Sequence, residues 1–286
     1  MAVHTRQVLR QRVTAGPVLM APGAANALTA RIIEESGFEC VYVTGAGIAN
    51  TYLGRPDIGL VTLSELTAHV AAIRDAVALP LIVDADTGFG NPIGVYRTVR
   101  ELGRAGADAI QLEDQVSPKK CGHFEGKQVV PLAEMVQKVH AAVDARDDDD
   151  LLIIARTDAR AVHGFEDAVQ RGNAYAEAGA DVVFVEAPQT VDELKRLPTL
   201  VPAPQVVNLV EGGKTPLLPL SELGDFRIAL YANAALQAAA KGMLRALGTL
   251  RATGSLTEVA DDLVGWDERQ RLVRKPHYDE LERRYA

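Results

Sequence analysis

The chain is poor in cysteine: among its 286 residues only Cys40 and Cys121 occur. Two thiols in a chain of this length exclude a disulfide scaffold and read as reduced cysteines of a cytoplasmic protein. No run of about eighteen apolar residues appears, so no membrane span is expected. The first residues, Met1 to Arg12, are polar and basic without an apolar centre, and do not read as a secretory signal. Positive charge is also in deficit: 30 basic against 38 acidic residues leave a formal charge of −8. That balance excludes the basic face on which nucleic-acid binding depends. No internal linker rich in glycine, serine or proline divides the chain, and no glycine-rich dinucleotide loop opens it.

What is present is a repeat of short apolar runs and alanine-rich helical stretches. The composition, 48% hydrophobic and 24% charged, is that of a globular domain rather than a disordered chain. Strands are read at Val18–Ala21, Cys40–Thr44, Pro80–Asp84, Ala109–Glu113, Leu151–Arg156, Val182–Glu186, Gln205–Val210 and Arg227–Tyr231. Helical spacing marks Ala24–Ser36, Leu63–Val77, Ile93–Ala105, Leu132–Ala145, Glu166–Ala178 and Val191–Leu197. Gly37, Gly106 and Gly179 stand where left-handed C-caps are expected. Strands alternating with helices imply parallel pairing. Eight such units in about 250 residues is the size of an α/β protein of the (β/α)8 barrel type. An open doubly wound sheet is the alternative. The acidic run Arg146–Asp150 reads as a solvated loop. The barrel is assigned to residues 1–254. A charged helical tail with Trp266, Leu272 and Tyr278, residues 255–286, either closes one end of the barrel or packs on a neighbouring subunit.

In such a barrel, chemistry lies where strands end and βα loops begin. Six of the eight strands end in groups able to ligate a metal or hold an anion: Thr44-Gly45, Asp84-Ala85-Asp86, Glu113-Asp114, Arg156-Thr157-Asp158, Glu186 and Asn208. A single polar strand end is usually a helix cap; six on one rim are harder to explain so. Asp84, Asp86 and Glu113 close neighbouring strands about 4.8 Å apart. Converging carboxylates must be protonated, paired or metal-bound, and a sparse oxygen set favours Mg2+. The competing reading has Asp86 capping a helix and Glu113 meeting a lysine. The loop from Gln115 to Pro131 holds Lys119, Lys120, Cys121 and His123. Cationic neighbours make a thiolate more available, and Gly122 and Gly126 give a lid its freedom. An exposed thiol in a mobile basic loop remains the alternative, and zinc does not suit one Cys and one His. Arg156 suits bidentate carboxylate binding, or a salt bridge to Asp158 or a rim carboxylate. Cys40 reads as a buried small hydrophobe. His69, His140 and His163 read as surface or capping residues, and His4 and His277 as terminal ones.

Together these segments resemble the isocitrate lyase/phosphoenolpyruvate mutase superfamily. The resemblance rests on Asp84-Ala85-Asp86-Thr87-Gly88-Phe89-Gly90-Asn91, Gln111-Leu112-Glu113-Asp114, Lys119-Lys120-Cys121-Gly122-His123, Ala155-Arg156-Thr157-Asp158 and Asn208–Pro216, and spans about Ala21 to Pro216. The Lys-Lys-Cys-Gly-His loop is similar to that of the lyase branch, which includes 2,3-dimethylmalate lyase-like and methylisocitrate lyase-like members. The resemblance implies a Mg2+-dependent barrel, with Mn2+ as a substitute cation. It further implies a homotetramer that exchanges C-terminal helices. It implies that Asp57, Asp84, Asp86 and Glu113 hold the metal, directly or through water. Tyr42, Thr44, Gly45 and Ala46 would bind the keto-acid end of the substrate, and Arg156, Glu186 and Asn208 would orient its oxygens. Cys121 would be the catalytic acid, with Lys119 and His123 beside it. Two features depart from the pattern. Asn208–Pro216 lacks the Ser-Pro-Ser stretch of isocitrate lyases, and Phe124-Glu125-Gly126 replaces the Arg-Pro-Asn of bacterial methylisocitrate lyases. Both point to a malate-type dicarboxylate more than a tricarboxylate.

The expected reaction is therefore cleavage of the C2–C3 bond of a 2-alkylmalate or dimethylmalate to a 2-keto acid and a carboxylate. The 2-oxygen would be stabilised on Mg2+ and the departing carbanion protonated by Cys121. Tyr42 and a metal-bound hydroxide are candidates for the base. The alternatives are a 2-methylisocitrate lyase, an oxaloacetate hydrolase or decarboxylase, a phosphonomutase, or a barrel that binds a dicarboxylate without turning it over.

Overall fold

A computed structural model describes residues 2–122, 124 and 126–286, the side chains of Ala2 and Val3 aside. Eight strands close into a barrel in chain order: β1 (Leu19–Ala24), β2 (Val41–Val43), β3 (Leu81–Asp84), β4 (Ala109–Glu113), β5 (Leu152–Thr157), β6 (Val182–Val185), β7 (Gln205–Asn208) and β8 (Ile228–Tyr231). All pairings are parallel, and β8 hydrogen-bonds back to β1 with Leu19 opposite Ile228. That closure excludes the open doubly wound sheet.

The strands are apolar along their whole length because both faces are covered. Alternation sorts them. Ile82, Ile154, Phe184, Val206 and Leu230 fill the barrel interior together with Leu9 and Val13 from the N-terminal helix Ala2–Thr14. Val83, Ile110, Leu112, Ile153 and Ala155 point outward against the helices of the first half, and Val183, Val185, Val207 and Ala229 against those of the second. The glycine stops are as expected: Gly37, Gly106 and Gly179 have φ of 83°, 106° and 101°. Helix Ala27–Glu35 begins three residues later than its periodicity suggests, because β1 runs to Ala24 and Asn26 provides the cap.

The acidic run 146–150 is not simply solvated, and this corrects the sequence reading. Asp147 and Asp148 pair with Arg6 at 3.0 and 3.3 Å, and Asp150 pairs with Arg10 at 3.2 Å. Arg6 also donates to the carbonyl of Gly103. The run clamps the N-terminal helix over the barrel floor, a partnership across some 140 residues that local charge patterning does not reveal.

Residues Met1–Asn233 and Ala234–Ala286 form two compact units. The second contains helices Ala234–Thr253, Trp266–Leu272 and Lys275–Tyr285, with a 3-10 segment at Thr257–Asp262. Helix Ala234–Thr253 buries none of its side chains, and Leu244 and Leu247 are 76% and 63% exposed.

Candidate active site

The C-terminal rim of the barrel carries two charge clusters. The first lies at the ends of β3 and β4, where Asp84, Asp86 and Glu113 are all buried. Asp86 adopts a left-handed backbone with φ of 47°, uncommon for a residue with a Cβ and a mark of functional strain. The turn is held by Asp86 N–H donating to Asp84 Oδ1 at 3.2 Å and Glu113 N–H donating to the Asp86 carbonyl at 2.9 Å. Gly45 packs against this pair: a Cβ there would sit 3.3 Å from an oxygen of each aspartate. Lys119 reaches in from the loop after β4, its Nζ 2.5 Å from Asp57 Oδ1 and 2.8 Å from Asp86 Oδ1.

Burial pushes the Asp86 carboxyl up to about 7, against the pull of Lys119 and with the help of Asp84 and Asp57. Burial likewise raises Glu113 well above the usual carboxylate range, although Arg156 opposes it. Burial alone would lower Lys119, but Asp86, Glu113, Asp84 and Asp57 outweigh it and hold the ammonium charged. Glu113 Oε1 is buried with no hydrogen-bond partner. A set of buried, proton-hungry carboxylates with an unsatisfied oxygen is short of positive charge and fits a hard cation. Among the described residues no three His, Cys, Asp or Glu side chains stand close enough to ligate one ion directly. A cation held here would take the rest of its coordination from water, which Mg2+ tolerates.

The second cluster is built on Arg156 at the end of β5. Its guanidinium grips Asp158 with two hydrogen bonds, 2.9 and 3.1 Å. It also lies 3.3 Å from both Glu113 and Glu186 and stacks over Phe184 at 5.1 Å. So the salt bridge and the carboxylate-binding position are compatible: the acids fix the plane of the guanidinium. Burial would raise Asp158, but Arg156 and Lys127 outweigh it and hold the carboxyl at about 2. Beneath lies a buried anchor. Asp114 accepts from Thr157 Oγ1 (2.7 Å), the Asp158 N–H (2.9 Å), Tyr175 Oη (2.8 Å) and Arg171 (3.1 Å). Asn208 Nδ2 donates to Glu186 at 3.4 Å, while its Oδ1 is buried without a partner.

Between the clusters is a cavity of about 40 Å³. Of the residues singled out from sequence, Tyr42, Thr44, Ala46, Asp57, Asp84, Lys119, Cys121, Arg156, Glu186 and Asn208 line it. Gly45, Asp86 and Glu113 stand behind that wall through the contacts above. Thr44 Oγ1 accepts from the Gly47 N–H at 3.1 Å, which leaves its proton available to donate. Burial pushes the Tyr42 hydroxyl far above its ordinary value, with the Asp84 charge adding to the shift and Arg156 opposing it. Cys121 is half-buried, its N–H donating to the Asp57 carbonyl at 3.1 Å. Lys119 Nζ lies against Asp57 and Asp86, and Lys120 Nζ donates to the Gly126 carbonyl at 3.0 Å. His123 lies outside the described residues. Cys40 is a buried hydrophobe with its thiol pushed up to about 12 by burial. Sequence reasoning missed Lys127, Asn233 and the apolar wall of Val210, Leu230 and Ala232. Lys127, Ala232 and Asn233 lie outside the strands, and the apolar Val210 and Leu230 carry no polar signal, so only tertiary proximity reveals them.

The profile of the phosphoenolpyruvate phosphomutase family matches residues 9–251. The chain belongs to the phosphoenolpyruvate mutase/isocitrate lyase superfamily. Within this superfamily it is 43% identical to 2,3-dimethylmalate lyase of Eubacterium barkeri over 286 residues, covering 99% of each chain. It is also 43% identical to 2-methylisocitrate lyase of Aeropyrum pernix over 281 residues, 98% of this chain and 89% of that one. A crystal structure of 2,3-dimethylmalate lyase superposes with a TM-score of 0.92 at 33% identity, covering 99% of this chain and 95% of the other. Other superfamily structures also align: oxaloacetate acetylhydrolase with 3,3-difluorooxalacetate (TM-score 0.90, 32% identity, 96% and 95% coverage) and phosphonopyruvate hydrolase with oxalate and Mg2+ (0.89, 32%, 98% and 99%). The protein is thus an enzyme, a lyase of this superfamily.

Proposed function

We propose that the enzyme cleaves the C2–C3 bond of a substituted 2-hydroxydicarboxylate of the 2-alkylmalate or dimethylmalate type, with Mg2+ in the Asp57, Asp84, Asp86 and Glu113 cluster. The observation that carries this reading is the placement of Cys121 in one cavity wall with Asp57 and Lys119, and with Arg156, Glu186 and Asn208. A proton donor thereby shares a small chamber with both a cation-seeking acid cluster and a carboxylate-binding guanidinium. Mg2+, when bound, supplies Lewis-acid stabilisation of developing negative charge on substrate oxygen.

The side chains divide the remaining work. Arg156, held flat by Asp158 and Phe184, lines the cavity and meets a substrate carboxylate with N–H groups that Asp158 does not take. Asn208 and Thr44 satisfy substrate oxygens, and Tyr42 donates a hydrogen bond to the 2-oxygen. The proton lost by the 2-hydroxyl passes to a carboxylate of the cavity wall, where Asp84 and Glu186 stand, and Cys121 Sγ delivers its proton to C3 of the departing fragment. Exclusion of bulk water around the bound substrate keeps water from competing for that carbon. A chamber with one guanidinium and an apolar wall of Val210, Leu230 and Ala232 suits two carboxylates and alkyl substituents. A third carboxylate would go unpaired there, at a cost of several kcal/mol. The exposed apolar residues Met243, Leu244 and Leu247 of helix Ala234–Thr253 support a homotetramer in which that helix packs on a neighbouring subunit.

The test is 2-keto-acid release, coupled to lactate dehydrogenase, with Mg2+ present or chelated. The panel holds 2,3-dimethylmalate, 2-ethylmalate, 2-methylisocitrate and isocitrate, with oxaloacetate followed by oxalate and acetate. Mg2+-dependent keto acid from a substituted malate is expected. Oxaloacetate consumed with silence on every hydroxyacid would transfer the enzyme to the hydrolase reading.

A further inference from the structure

Lys127 belongs to none of the roles above, yet its side chain is only 2% exposed. Its Nζ donates to Asp158 Oδ1 at 2.7 Å and to the carbonyl of Gly122. Both acceptors matter. Asp158 Oδ1 is the same oxygen that takes Arg156 Nη2 at 3.1 Å. Gly122 follows Cys121 and is pressed so closely onto the site that a Cβ there would lie 2.4 Å from Arg156 Nη2. One ammonium therefore bridges the barrel residue that orients the guanidinium and the loop residue beside the thiol.

We infer that Lys127 is a positioning residue that ties the Cys121-Gly122 segment to Asp158, so that the thiol and the Arg156 guanidinium are set against each other. The inference rests on the lyase reading for its consequence in turnover, but the tie itself does not. Three donors on one ammonium serve two fixed acceptors from elements 31 and 5 residues away in sequence. Gln115 and the Asp57 carbonyl hold the chain before Gly122 through Lys120 and the Cys121 N–H, whereas the Lys127 ammonium is what holds the Gly122 carbonyl against Asp158. Asp158 retains Arg156 as a partner, so Lys127→Gln does not strand a buried charge, and the variant is expected to fold.

The measurement is the rate of iodoacetamide alkylation of Cys121, read by peptide mass spectrometry, in wild type, Lys127→Gln and Lys127→Arg. Cys40, fully buried, is the internal control. Lys127→Gln is expected to alkylate at Cys121 roughly tenfold faster, as a segment whose local opening is eased loses protection. Lys127→Arg is expected near the wild-type rate, with Cys40 unmodified throughout. For a hydroxyacid that is turned over, Lys127→Gln should lower kcat with KM little changed. A wild-type alkylation rate in Lys127→Gln would overturn the inference. Concurrent labelling of Cys40 would also overturn it, since Lys127 would then serve the fold at large. Faster labelling of Cys121 with no hydroxyacid turned over, even by wild type, would uphold the tie and reject the lyase reading.

Discussion

At the scale of single residues, the site is governed by uncompensated burial. Arg156 and Lys127 outweigh burial at Asp158 and hold its carboxyl at about 2, against an ordinary value of 3.8. A carboxyl lowered in the folded state stabilises the fold above its unfolded pKa, and that contribution is lost as pH falls from about 4 through 2. Its size is about 2 kcal/mol. Urea midpoints measured from pH 5 to pH 2.5 should therefore fall more steeply for wild type than for Asp158→Asn; parallel slopes would contradict the pairing. Part of this was legible in the chain. Asp84, Asp86, Glu113 and Arg156 stand at strand ends, and strand ends can be read from apolar runs. Lys127, and Arg171 and Tyr175 as partners of Asp114, could not be read, since these contacts span 31 to 61 residues and no local pattern distinguishes the three from surface residues.

At the scale of elements, periodicity and capping signals were strong guides. Gly37, Gly106 and Gly179 end their helices in the left-handed conformation, and each strand read from the sequence overlaps an observed one. The failures are places where geometry is set by contacts rather than by local preference. The π-helical turn Ala49–Leu53 after β2 has no sequence signature, and such turns are often found at functional sites. The acidic run 146–150 looked like solvent-facing charge until the N-terminal helix supplied Arg6. That side chain is buried beneath Asp147, Asp148 and the Gly103 carbonyl. Arg6→Ala should cost about 1–3 kcal/mol of unfolding free energy, measured by chemical denaturation, with catalytic constants unchanged because the clamp lies at the barrel end opposite the site. A loss of activity without loss of stability would refute that division.

At the scale of the whole molecule, the barrel places polar chemistry at one rim and a helical clamp at the other. The second unit exposes an apolar helix that a lone chain has no reason to keep. Met243, Leu244 and Leu247 are more than half exposed, each leaving apolar area in water at about 25 cal/mol per Å². Sedimentation should give a particle about four times the 30.6 kDa chain. Leu244→Glu with Leu247→Glu should shift it toward smaller species; a monomeric wild type would refute the assembly. The central claim concerns chemistry, and Cys121→Ser tests it most directly. With the substituted malate that wild type cleaves, the account predicts that this variant loses at least about a thousandfold in kcat, more than a general acid alone contributes at the low end, while binding Mg2+ as wild type does. Undiminished turnover by Cys121→Ser would remove the thiol from the reaction and contradict the mechanism.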